Sequence, residues 1–153
     1  THVDYLHTDE GDPRRPLAHA LRNHIGSEGH LIAYNSSFEA RVLRQLAEHL
    51  PEYAPELNSM ADRLWDQLPI FRKHYKDYRF GKSNSLKSVL PVVADLSYND
   101  LDVQNGGQAQ VIWEKMITLD DPAEKAKRIQ ELKAYCHLDT LAMVKIHEVL
   151  SRL

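Results

Sequence analysis

The sequence predicts an α/β layer fold rich in helix, and three observations carry that expectation. Residues 30–34 (HLIAY) form a short apolar run of strand length, Ser36 and Ser37 follow as helix-capping residues, and residues 121–152 keep helical periodicity from an Asp-Pro start. Strands that alternate with helices arrange as layers, with helices covering a sheet. At 153 residues the chain is long enough for a real core, and the expectation is a single domain over 1–153.

Taken in order, residues 3–7 read as a short strand with Val3, Tyr5 and His7 on one face, and Gly11 turns the chain. Asp12-Pro13 starts a helix, the acid as N-cap and the proline at the first helical position. Leu17, Leu21, His24 and Ile25 continue at helical spacing, and Gly26 and Gly29 end it. The 30–34 strand reads as buried on both faces. The helix behind Ser36 or Ser37 runs to Leu50 and stops at Pro51. A helix over 55–64 sets Leu57, Met60, Ala61 and Leu64 in register, and 64–68 reads as a brief strand before Pro69. Short helices are expected at 69–75, 85–93 and 108–118, with Gly106-Gly107 leading into the last of them. Asp121-Pro122 starts a final helix that runs unbroken to Arg152.

Hydrophobic content of 42% and charged content of 27% are those of a soluble globular chain. No apolar run approaches the length of a membrane span and the N-terminus is not signal-like, so no membrane partner is expected. The one cysteine, Cys136, lies inside a predicted helix, which argues for a reducing, cytoplasmic setting rather than a disulfide framework. Nine histidines include no His-Glu-x-x-His spacing of a zinc site. Charge is distributed unevenly. Residues 71–87 hold six Lys/Arg against the single acid Asp77, while the whole chain is at −3 and the remainder therefore at −8.

Two acids stand where a helix pattern asks for an apolar residue. Leu132, Cys136, Asp139, Met143, Ile146 and Leu150 are spaced 4, 3, 4, 3, 4, one helix face with Asp139 in its middle. Glu39 is placed the same way among Val42, Leu43 and Leu46. A carboxylate facing a core is unfavourable unless it is paired or holds a metal. Each acid has a polar companion four residues upstream, Asn35 for Glu39 and Tyr135 for Asp139. Structural alternatives stand beside this reading: Glu39 in a first helical turn also complements the helix dipole, Asn35 at a strand end also closes turns, and Tyr135 also suits a half-buried position with its hydroxyl at water. The segment Phe71-Arg72-Lys73-His74-Tyr75-Lys76-Asp77-Tyr78-Arg79-Phe80 pairs cations with aromatic rings, which suits a phosphate backbone with unpaired bases. Lys82, Ser85 and Lys87 extend it. The plain alternative is a solvated charged face.

Asn35-x-x-Phe38-Glu39 at a strand-to-helix turn, followed far downstream by Tyr135-x-x-x-Asp139 on a helix, resembles the second and third motifs of the proofreading-type 3′–5′ exonucleases of the ribonuclease H-like superfamily. Thr8-Asp9-Glu10-Gly11-Asp12-Pro13-Arg14-Arg15 and Ser85-Leu86-Lys87-Ser88-Val89-Leu90-Pro91 resemble a domain family of unknown function within it (family 2779). The resemblance implies a mixed sheet flanked by helices and two-metal hydrolysis of phosphodiesters with Mg²⁺ or Mn²⁺. Glu39 and Asp139 would then be metal ligands, Asn35 would orient the acid or the substrate, and Tyr135 would orient the attacking water. The family places two further acids as Asp-x-Glu on its first, central strand, and no Asp-x-Glu occurs in these 153 residues. The chain is therefore read as a partial exonuclease-like domain that lacks its N-terminal strands, inactive and without bound metal by itself.

Two function classes follow. One is the nuclease domain, with Glu39, Tyr135, Asp139 and Asn35 as its centre. The other is a non-catalytic module of the same fold that binds a single-stranded nucleic-acid end, through Arg72, Lys73, Lys76, Arg79, Lys82 and Lys87, or a protein. Glu39 and Asp139 are expected to line one cleft. The 30–34 strand, lacking a central neighbour, is expected to have an open edge. That edge would form a homodimer or be covered by residues 3–7.

Overall fold

The computed structural model describes residues 1–152. The chain divides into two compact units, one of residues 12–84 and the other of residues 1–11 with those from Ser85 onward.

The 12–84 unit runs α1 (Arg14–His24), β1 (Leu31–Ala33), α2 (Ser37–His49), a 3-10 turn Pro51–Tyr53, α3 (Ala54–Asp62), β2 (Leu64–Asp66), α4 (Leu68–Lys73) and a second 3-10 turn, Tyr78–Phe80. Its core is an apolar cluster of Ala18, Leu43, Leu46, Ala47, Leu50, Tyr53, Leu57, Met60 and Ala61, against which Leu17, Leu21 and Leu31 pack. This is the arrangement the spacings imply, α1 to α3 each turning one apolar face inward. Arg63 ties the α1–β1 loop to the end of α3: its guanidinium donates to the carbonyls of Glu28, Gly29 and Gly26 at 2.8, 3.0 and 2.6 Å.

The sheet is smaller than expected. Among the described residues it is two strands, β1 and β2, parallel, with Leu31, Ile32 and Ala33 opposite Leu64, Trp65 and Asp66. A mixed sheet is thus corrected to a two-stranded parallel one, and the molecule is helix-rich α/β only in that limited sense. Nor is β1 buried on both faces. Ala33 is buried, while Ile32 and its neighbour Trp65 are 36% and 38% exposed.

Residues 3–7 do not form a strand. Val3 and Tyr5 are 54% and 41% exposed, so the alternating pattern finds no apolar surface to bury against. Side chains of its own unit hold the segment instead: Lys133 pairs with Asp4 at 2.9 Å and Trp113 Nε1 donates to the His7 carbonyl at 2.8 Å. The rest of this unit is α5 (Leu86–Ala94), α6 (Gly106–Met116) and α7 (Pro122–Leu150). Asp95 ends α5 in the left-handed conformation, φ 54°. Helix α6 begins two residues earlier than its glycines suggest, because Asn105 Oδ1 accepts from Gln108 N at 2.9 Å while Gln108 Oε1 accepts from Gln104 N at 3.0 Å. Asp121 caps α7 as expected, accepting from Ala123 N and Glu124 N. Leu132, Ala142 and Ile146 bury the α7 face, whereas Cys136, part of the expected stripe, is exposed. No described helix is long and apolar enough to cross a membrane.

Candidate functional site

Asn35 and Glu39 belong to the 12–84 unit, Tyr135 and Asp139 to the other. At the carboxyl end of β1, Asn35 takes φ 67°, a left-handed conformation that asparagine tolerates better than most residues. That turn swings the chain into α2 and sets Glu39 in its first turn, half-buried. The expected serine cap is absent: neither Ser36 nor Ser37 caps α2 through its side chain. Asp66, the last residue of β2, supplies the acceptors instead. Its Oδ1 accepts from Asn35 N at 2.8 Å and from Leu68 N at 2.9 Å, and its Oδ2 accepts from Ser36 N at 3.1 Å. One carboxylate therefore satisfies free N–H groups at the starts of two helices, α2 and α4. Sequence reading missed Asp66. Its only signal was an acid two residues before Leu68-Pro69, a helix-start pattern that a strand reading of 64–68 concealed.

On α7, Tyr135 and Asp139 share a face as their spacing requires. Asp139 Oδ1 accepts a hydrogen bond of 2.5 Å from the hydroxyl of Tyr98, which is 5% exposed. Tyr135 lies beside this pair, its ring centre 6.1 Å from that of Tyr98. Burial, reinforced by the negative charge of Asp139, raises the ionisation of both tyrosines well above its ordinary range. Lys87 stands over the Tyr98 ring, 5.7 Å from its centre. Nothing in the spacing of the sequence points to Tyr98, since it comes from an irregular segment between helices.

The pair of divalent cations implied by the exonuclease resemblance does not fit this donor set. Among the described residues no three His, Cys, Asp or Glu side chains gather into a cation cage, and Asp139 is already engaged by the Tyr98 hydroxyl. Hard cations of this class want several carboxylate oxygens around each ion.

The basic segment sorts into engaged and open cations. Arg79 forks onto Asp77, Nε to Oδ1 at 2.9 Å and an outer nitrogen to Oδ2 at 2.6 Å, which depresses the Asp77 carboxyl to about 2. Lys76 donates to the Phe71 and Arg72 carbonyls at the end of α4. Lys87 belongs to the other unit. Arg72, Lys73 and Lys82 are exposed and make no ion pair among the described residues. The aromatic half of the expectation needs correcting. Phe71 and Phe80 are core residues, packed with Tyr34 and Tyr75 in one ring cluster, and only Tyr78 stands fully in solvent, 92% exposed.

Residues 1–85 match the family described as Domain of unknown function (DUF2779). An uncharacterised protein of Mycoplasma pneumoniae is 30% identical over 129 residues, covering 75% of this chain and 19% of that protein. Uncharacterised proteins of Mycoplasma genitalium and Ureaplasma parvum are 28% and 26% identical, with 78% and 85% of this chain covered and 20% and 22% of theirs. The chain spans about a fifth of the length of the curated relatives it matches. No solved structure matches. The family match includes Asn35, Glu39, Asp66 and the basic segment through Ser85, and stops short of Tyr98, Tyr135 and Asp139.

Proposed function

The chain belongs to the family described as Domain of unknown function (DUF2779), and from that premise we propose that this stretch is a nucleic-acid-binding module, holding a single strand along residues 72–82. The observation that carries the reading is the trio Arg72, Lys73 and Lys82, exposed and without carboxylate partners among the described residues. The other exposed arginines of the unit are engaged: Arg14, Arg44 and Arg79 each with an aspartate, Arg15 with Glu52, and Arg22 and Arg41 over the rings of Tyr53 and Phe38. Unpaired cations on a short segment are available to neutralise phosphates and release their counterions. Labelled single-stranded DNA and RNA should bind the full chain at low salt. Three phosphate contacts on a single strand give a log–log salt slope of about −2. The triple variant Arg72→Glu, Lys73→Glu, Lys82→Glu should lose both the affinity and the slope. Binding that ignores these changes, or no binding at all, refutes the assignment.

A second reading, a ribonuclease H-like 3′–5′ exonuclease domain completed by the wider polypeptide, is favoured by the Tyr135–Asp139 pair, an acid held beside a tyrosyl hydroxyl at four-residue spacing. It is distinguished in the same assay. Metal-dependent digestion of the bound strand by the wider polypeptide, abolished by Asp139→Asn, makes the domain part of an enzyme; a strand left intact by the wider polypeptide leaves it a binding module.

A further inference from the structure

We propose that the loop formed by residues 76–84 is a receptor for one unpaired nucleobase, stacked on Tyr78; the inference rests on the single-strand reading above and names what its basic segment recognises.

The loop is pinned at both ends and open in the middle. At its start, Asp77 caps the 3-10 turn by accepting from Arg79 N at 2.9 Å and holds the Arg79 guanidinium. Within the turn Phe80 is buried, edge-on to Phe71 with ring centres 6.0 Å apart, and it stacks on Tyr75. At its end the Asn84 carbonyl accepts from the Tyr34 hydroxyl at 2.6 Å, a long-range anchor to the end of β1. Between these anchors lies a cavity of about 360 Å³ lined by Tyr78, Gly81, Lys82 and Asn84, at the lower end of the range of about 300–1,000 Å³ for small-molecule sites. Gly81, at φ 64°, supplies the left-handed turn of this loop.

Three of the residues that line this space carry complementary chemistry. The Tyr78 ring gives up the burial that an aromatic side chain usually gains, and a base stacked on it would restore that contact whatever the sequence. Lys82 is an exposed cation beside the ring, placed for the phosphate that accompanies any stacked base. The Asn84 side-chain amide makes no hydrogen bond among the described residues, although its carbonyl neighbour on the backbone is engaged. A free amide offers a donor and an acceptor together, the pattern that reads a base edge. Duplexes keep their bases stacked and would not present a face to Tyr78, so the receptor is selective for unpaired strand.

The experiment uses the full chain and labelled oligonucleotides of about ten nucleotides, within the usual site sizes for such binders, in DNA and RNA forms, intact or with one central abasic position. Tyr78→Ala should weaken binding about tenfold or more, the range that removal of a stacking ring produces; its exposure means that folding is not at stake. The abasic strand should bind the native chain as weakly as the intact strand binds the variant, and Tyr78→Ala should then add nothing further. Tyr78→Phe should restore binding. If intact and abasic strands bind alike, or if Tyr78→Ala is silent while the charge-reversal variant loses binding, the base receptor is refuted and the phosphate-binding reading survives. Absence of binding to every strand overturns both. A preference between the DNA and RNA forms, if it disappears in Asn84→Ala, assigns base or sugar reading to that amide; a preference unchanged there removes Asn84 from the site.

Discussion

At the scale of single residues, the most constrained group in the chain is the Asp139 carboxylate. A half-buried charge on a helix face is tolerated only when its lone pairs are used, and here the buried Tyr98 hydroxyl donates to it. A hydrogen bond to a charged acceptor contributes about 1.5–3 kcal/mol, so Tyr98→Phe should lower stability by an amount in that range, read from urea unfolding at neutral pH. The pH dependence has a definite sign. The folded state raises the ionisation of Tyr98 through burial and then Asp139. Its protonated form is favoured on folding, and the stabilisation is complete below the ordinary tyrosine value of about 10 and lost as pH rises beyond it. Tyr34 and Tyr135 are raised as well, again by burial first. The native chain should therefore lose stability above about pH 10, and Tyr98→Phe should lose it less steeply. An identical alkaline slope in the two proteins would mean that Tyr98 is not the buried donor described here.

At the scale of elements, capping decides more than propensity. Helices α6 and α7 were legible because their caps are local, Asn105 and Asp121 each bonding within three residues. Helix α2 was legible as a helix, yet the residue that starts it was not, since Asp66 arrives from a different strand thirty-one positions away from Asn35. Local pattern cannot register such a bond, and the same is true of Tyr98 and Asp139, forty-one positions apart. The strand reading of residues 3–7 failed for the converse reason: alternation was present but no partner strand was available, and side-chain tethers to α6 and α7 fixed the segment instead. The acids themselves, Glu39 and Asp139, stand out in the sequence because a charge in an apolar stripe is a local anomaly. Asp66→Ala strips acceptors from the starts of α2 and α4 together. Loss of one cap costs about 0.5–2 kcal/mol, so this substitution should reach or exceed the upper end of that range. Asp66→Asn should recover part of it, because an amide oxygen still accepts. Hydrogen exchange should show the loss first at the amides of Asn35, Ser36 and Leu68, and uniform acceleration across the unit instead would indicate a packing defect.

At the scale of the whole molecule, the sheet is the element that the chain leaves least finished. Parallel strands are ordinarily covered on both faces and supported by several neighbours, yet β1 pairs only with β2 among the described residues, and Ile32 and Trp65 stand side by side on an outward face. Residues 3–7, one candidate to cover the edge, form no strand and pair with neither. A strand edge with no strand partner among the described residues, beside the partly exposed Ile32, favours addition of another strand, and in a solution of this chain alone the strand considered is β1 of a second copy, related by a two-fold axis that makes the contact self-complementary. The edge is three residues long, so the association should be weak and concentration-dependent rather than obligate. Light scattering across a dilution series should show a reversible monomer–dimer equilibrium. Ile32→Lys places a charge on the outward face, where it is solvated in the monomer and must be desolvated in any strand addition, so it should shift the equilibrium to monomer without loss of helix signal in circular dichroism. A native chain that scatters as a monomer at every concentration would mean that three residues are too short an edge to recruit a partner.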